Sequence, residues 1–157
     1  MSVTTASGAK IFIGPTTAAA DAAAYAALVY TEIGEVESLG EFGDEAADVT
    51  FTSLSDARVR HLKGSRDAGV MSVVVGRDPL DLGQVAARAA EKTKFAYAFK
   101  VVAADAQDAN DTDSTFYFHA LVQSAKENFG ESDNVVRTTF NLGITTAIIE
   151  VPATVVP

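Results

Sequence analysis

Along much of the chain apolar residues fall at every second position, the repeat of a strand with one buried face. Phe95, Tyr97, Phe99 and Val101 alternate with Ala96, Ala98 and Lys100. Phe116, Phe118, Ala120 and Val122 alternate with Tyr117, His119 and Leu121. The two runs predict an antiparallel pair joined by the polar stretch 103–114. Around residues 48–54, Val49, Phe51 and Leu54 fall on or near one face, and Asp48, Thr50 and Thr52 on the other. That pattern predicts a half-buried strand, with Val49 and Phe51 toward the subunit core. In 70–75, Met71, Val73 and Val75 share a face, while Val70 and Val74 flank Ser72 on the other. A strand apolar on both faces is expected to be buried on both, or to meet a partner subunit. Further strands are expected at 10–14, at 29–39 with a break at Gly34, at 58–63, at 135–144 with a bend or bulge at Gly143, and at 147–151.

One segment changes to helical period. Leu82, Val85, Ala86, Ala89 and Ala90 form a narrow stripe. Asp78 reads as its N-cap, with Pro79 at the first helical position, where the missing N–H is not needed. Asp81 then falls in the first turn, favourable to the helix dipole. Gly83 inside this helix costs about 1 kcal/mol relative to alanine and points to close approach of another backbone. The alanine-rich stretch 16–27 fits a loop or a short helix equally. Residues 40–48, with Glu41, Gly43, Asp44 and Glu45, and residues 124–134 read as polar connections. The sum is one domain over 1–157, mainly β, with one principal α-helix.

Composition narrows the function classes. A chain of 157 residues can remove about 70% of its unfolded surface from water without staples. It has no cysteine, which excludes disulfides and thiolate metal sites. A net charge of −9 makes duplex nucleic acid a poor direct partner, because binding it requires clustered cations. No charged segment followed by an apolar one opens the chain, and no window approaches the roughly 20 apolar residues of a spanning helix. A cytoplasmically made protein without membrane contact is the expectation.

The residues offer no catalytic, cofactor or metal site. Asp105, Asp108, Asn110, Asp111 and Asp113 miss the EF-hand frame, since its sixth position would be Asp113 and its twelfth His119. His61 and His119 lie on predicted strands without ligand partners. No Gly-x-Ser-x-Gly elbow or phosphate-binding loop occurs, and Glu35 with Glu37 reads as an acidic edge rather than a glycosidase pair. One cluster stands out. Arg58, Arg60, Lys63 and Arg66 gather positive charge beside the acidic Glu41, Asp44 and Glu45. Opposite patches on one surface permit head-to-tail contacts between copies. A solvated strand edge blunted by charge accounts for the same residues.

The order of these segments resembles that of tail tube proteins, the major tail proteins of long non-contractile-tailed bacteriophages. The resemblance is carried by Ile33-Gly34-Glu35-Val36-Glu37-Ser38, Asp48-Val49-Thr50-Phe51-Thr52-Ser53-Leu54 and Lys63-Gly64-Ser65-Arg66-Asp67-Ala68-Gly69. It continues through Asp78-Pro79-Leu80-Asp81-Leu82-Gly83-Gln84 and Asp133-Asn134-Val135-Val136. It implies a β-sandwich or barrel-like tube fold flanked by a helix, with sheets joining neighbours in a hexameric ring. It implies a structural, non-enzymatic subunit whose rings stack into a conduit for genome delivery. Inner tubes of contractile tails and of type VI secretion (Hcp-like) systems are the alternative, and a β-barrel small-molecule binder or enzyme is the reading from another class. The implied partners are further copies, tail tip or initiator, tape measure and terminator proteins, and DNA that passes through without specific binding. The implied location is the virion tail, assembled in the host cytoplasm. For the lumen the expected residues are Asp48, Thr50 and Thr52, then Thr139 and Asn141. For contacts between subunits or rings they are Glu41, Asp44, Glu45, Arg58, Arg60, Lys63 and Arg66.

Overall fold

The structure, a computed structural model, describes residues 3–154. The strands are β1 (Lys10–Ile13), β2 (Thr31–Ile33), β3 (Val36–Ser38), β4 (Glu45–Thr52), β5 (Val59–Asp67), β6 (Val70–Gly76), β7 (Tyr97–Val102), β8 (Thr115–Asn128), β9 (Arg137–Ile144) and β10 (Ile149–Val151). The helices are α1 (Ala22–Ala26) and α2 (Leu82–Glu91).

Eight strands form one antiparallel sheet in the order β2-β1-β7-β8-β9-β6-β3, with β10 beside β8 where β9 ends. The two edge strands of this sheet are consecutive in the chain, separated only by Gly34 and Glu35. Two residues cannot span an open sheet, so the sheet curls until its edges meet, and the body is barrel-like. The inward side chains fill it: Ile11, Met71, Val73, Val75, Phe99, Phe118, Phe140 and Leu142 are all essentially inaccessible to solvent. A second, smaller cluster lies outside the sheet. There Tyr25 of α1 stacks on Tyr117 with ring centroids 5.4 Å apart, over Ala98.

The principal helix starts one turn later than the Asp78-Pro79 reading. Asp81 is the N-cap, its carboxylate accepting from Gln84 N at 2.9 Å. Asp78 instead accepts from Leu80 N at 3.0 Å and shapes the turn before the helix. The Pro79 ring suits that turn as well as it suits a first helical position, so the dipeptide alone does not decide between them. Asp81 also accepts from Gly34 N at 3.0 Å. Gln84, fully buried, donates to the carbonyls of Gly34 (3.1 Å) and Gly76 (2.9 Å) and accepts from Asp78 N (3.0 Å). The helix start therefore clasps the point where the sheet closes. Gly83 makes this approach sterically feasible: a Cβ there would meet the Glu32 carbonyl oxygen at 2.1 Å.

Three other expectations change. The chain at 40–48 is not all connection, because β4 begins at Glu45. β8 runs on to Asn128 through an irregularity between Val122 and Ser124, where a polar connection was expected. Gly143 pairs regularly; the bulge lies across from it, and a Cβ on Gly143 would meet the Gln123 amide at 2.5 Å. The added length of β8 carries polar side chains because they serve an ion cluster. Glu127 receives Thr138 Oγ1 at 2.6 Å, Arg88 Nε at 3.2 Å and Arg77 Nε at 3.2 Å. Partial burial pushes the Glu127 carboxyl up, but the hydrogen bonds from Thr138 and Arg88 and the charges of Arg88 and Arg77 outweigh it and hold it below its ordinary 4.5.

Two outcomes follow for stability. Asp81→Ala is expected to cost about 1–2 kcal/mol by losing the cap, and Gly83→Ala about 1–3 kcal/mol by overpacking. Asp78→Ala should cost less than either. Thermal melts check this, and equal losses for Asp78→Ala and Asp81→Ala would move the helix start back. For Glu127 the folded carboxyl is the stronger acid, so its stabilisation is present above the ordinary value of 4.5 and lost as the pH falls below it. Glu127→Gln should therefore destabilise the chain at neutral pH, with the deficit shrinking toward zero on acidification in denaturant titrations.

Candidate assembly surfaces

β4 and β5 pair only with each other and form an arm that stands off the body. Its two legs enter the sheet at β3 and β6, which are themselves neighbours. Opposed residues share a face, so the register sorts the arm cleanly. Val49 opposes Leu62 and Phe51 opposes Arg60 on one face; Asp48 opposes Lys63, Thr50 opposes His61 and Thr52 opposes Val59 on the other. The expected alternation is present, but the half-buried strand is not. Val49 is 46% exposed, Phe51 55% and Leu62 57%, because the arm packs on no core. Leu54, in the turn at the tip, is fully exposed.

The charged residues expected at contacts gather on this arm and at its base. Arg60 pairs with Asp56 at 2.7 Å, and Arg66 with Asp44 at 3.6 Å. His61 meets the Asp48 carboxylate at 3.0 Å on the exposed polar face. Arg58 and Lys63 are exposed, as are Glu41 and Glu45 beside the arm's root. The cluster is thus a set of local ion pairs on a projecting hairpin. Exposed pairs of this kind contribute little to folding.

The second surface is the outer face of β6, β9 and β8. Met71, Val73 and Val75 turn into the core, while Val70 and Ser72 stay exposed and Val74 is half-buried. One face of this strand is therefore open, and the expected burial on both faces is not met within the chain. Thr139 and Asn141 lie on the same outer face. Ser72 Oγ donates to Asn141 Oδ1 at 2.7 Å, and Asn141 Nδ2 donates to Ser124 Oγ at 2.9 Å. A row of small hydroxyl and amide groups thus crosses three strands, its hydrogen bonds directed to one another. Asp48, Thr50 and Thr52 sit apart from it on the arm.

The remaining sequence candidates have structural employment. His119 is buried; its Nε2 lies 2.9 Å from the Thr17 carbonyl and its Nδ1 2.7 Å from the Tyr25 hydroxyl. A carbonyl only accepts, so Nε2 carries the proton and Nδ1 accepts from Tyr25. In the 103–114 loop Asp105 accepts from Ser114 N and Oγ at 2.8 and 2.6 Å, and the Ser114 hydroxyl bond holds its carboxyl below the ordinary value. Asp113 accepts from Ala106 N at 2.8 Å. These carboxylates hold the loop's own backbone. Glu37 bonds to Arg137, and Glu35 sits at the bend between β2 and β3 with φ +57°. Among the described residues no group of three or more His, Cys, Asp or Glu is placed to hold a metal. What the sequence pattern missed is the arm as a unit, since alternation shows two faces but not what lies beneath either.

No protein-family model matches the chain, and no curated protein is similar to it. Solved structures are. The tail tube of SPP1 matches with TM-score 0.59 and 16% identity, over 90% of this chain and 75% of its own. The sheath/tube terminator of PVC, an extracellular contractile injection system, matches with TM-score 0.69 and 9% identity, over 94% and 96%. A chain of the anti-feeding prophage baseplate matches with TM-score 0.67 and 12% identity, over 97% and 98%. At such low identity the likeness is one of architecture: the chain has the fold found in a phage tail tube and in components of contractile injection machines.

Proposed function

We propose that the chain is a structural, non-catalytic subunit of a tail tube, whose copies form hexameric rings that stack into a hollow conduit for a genome. The observation that carries this reading is an apolar-faced arm that projects from the curled sheet with nothing to cover it, on a fold shared with tube and baseplate chains. An exposed apolar surface of this kind marks an interaction site. Tail tip or initiator, tape measure and terminator proteins are the partners such a conduit requires. The place of the protein is then the virion tail, reached by assembly in the host cytoplasm.

Of the two candidate lumen surfaces, the outer face bearing Thr139 and Asn141 is the better supported. Ser72, Asn141 and Ser124 on it are bonded to one another, although Lys126, opposite Thr139, puts one exposed cation on the same face. Asp48, Thr50 and Thr52 lie on the arm, better placed for contacts between copies together with Arg58, Arg60, Lys63 and Arg66. A second reading has its own support. The PVC and anti-feeding prophage chains are matched over 96% and 98% of their length, against 75% for the SPP1 tube. An inner-tube subunit of a contractile machine is the corresponding alternative, and it requires a sheath.

Negative-stain images of the purified chain at high concentration, alone and with its initiator complex, are expected to show rings or tubes of uniform bore. Monomers under both conditions would defeat the proposal. In assembled tubes Asn141→Lys should slow DNA passage and make DNA binding salt-dependent; Asp48→Lys should not. The reverse pattern would return the lumen to the arm residues.

A further inference from the structure

We propose, resting on the tube reading and on the outer face of β6, β9 and β8 as the conduit wall, that Lys126 and Thr139 form a contact for the phosphate backbone of nucleic acid, repeated in every copy. The two residues oppose each other across the β8–β9 ladder. Directly opposed residues on one face hold their Cβ atoms about 5 Å apart, so one phosphate can take the ammonium and the hydroxyl together. Lys126 is exposed and Thr139 half-buried, with Val74 beside Thr139 on β6.

The neighbours of this pair single it out. One row along the strands, Ser72, Asn141 and Ser124 are bonded to one another. One row the other way, Arg137 is neutralised by Glu37 of β3. Glu127, next to Lys126 in the chain, turns to the opposite side of the sheet, where Arg77, Arg88 and Thr138 hold it. Among the described residues no carboxylate pairs with Lys126, and the Thr139 hydroxyl makes no side-chain hydrogen bond. Across β3, β6, β9 and the end of β8 this face therefore carries two cations and one carboxylate, a net +1, in a chain whose total is −9. Its ammonium is left for an anion from outside the chain.

An ammonium beside a hydroxyl suits phosphate, because both donate and the charge displaces a counterion from the backbone. Phosphates carry no sequence information, so the contact is the same for any genome. One such contact is weak. Repeated ring after ring it is equivalent at every level, and a strand moving along the bore exchanges each contact for an identical one without climbing in free energy. The pair therefore holds nucleic acid in the bore without arresting it. Asn141→Lys would add a second cation one row away and strengthen the grip.

Tubes are assembled in the presence of a labelled DNA duplex of random sequence, sedimented, and treated with nuclease. Wild-type tubes are expected to capture nuclease-protected DNA, with affinity falling as salt rises. Lys126→Ala should lower capture at low salt roughly tenfold and flatten the salt dependence; Thr139→Val should lower it less, and Lys126→Arg should keep it. Lys92→Ala removes an exposed cation at the end of α2 and should change nothing. Equal capture by wild-type and Lys126→Ala tubes, or captured DNA that nuclease digests, would overturn the pair and leave the tube reading in place. Capture of polyglutamate that matches DNA and is lost in the same variant would overturn phosphate as the ligand in favour of an acidic protein. A wild-type chain that never assembles would overturn both proposals.

Discussion

The carboxylate of Asp81 accepts from Gly34 N and from Gln84 N, and through these two bonds it ties the start of α2 to the seam of the sheet. The rest of the body depends on this closure. A curled sheet whose edges are consecutive strands has to bend sharply at Gly34 and Glu35, and the polar groups freed at such a bend need partners. Gln84 supplies them while fully buried, and the bare Cα of Gly83 lets the helix come near enough to do so. With the seam held, Ile33 on one edge strand and Val75 beside the other edge fill the same core.

The edge strands β2 and β3 are each paired on one side only, and the arm stands apart from both as a third surface open to a neighbour. In an ordinary domain a two-stranded ribbon with Val49, Phe51 and Leu62 exposed would be marginal in water. What holds it together is the ladder between β4 and β5. A segment of that kind makes sense when its apolar face is covered after folding, by another molecule.

Much of the body was legible from period alone. The alternations in β6, β7 and β8 set which side chains point inward, and Met71, Val73, Val75, Phe99 and Phe118 are buried as their positions require. The helix was legible in its stripe but not in its start, since Asp78 and Asp81 are both sound caps and the choice falls to Gly34, distant in sequence. Closure was not legible: nothing local in Ile33-Gly34-Glu35-Val36 says that the strands on either side of the break lie at opposite edges of one sheet. The arm was misread for the same reason. Period two reports that a strand has two different faces, and burial of one of them is a tertiary fact. Thr139 and Asn141 lie on the outer face because their neighbours in β9, Thr138 and Phe140, are buried, a placement that alternation alone predicts.

The two legs of the arm give it a mechanical character. One enters β6 through Ala68 and Gly69, the other reaches β3 through residues 39–44, and β3 and β6 lie side by side in the sheet. A pull on the arm along the strand direction therefore loads the hydrogen bonds between β6 and β9, from Val70 opposite Gly143 to Gly76 opposite Arg137, all at once in shear. Peeling would break them one at a time; shear requires them to fail together.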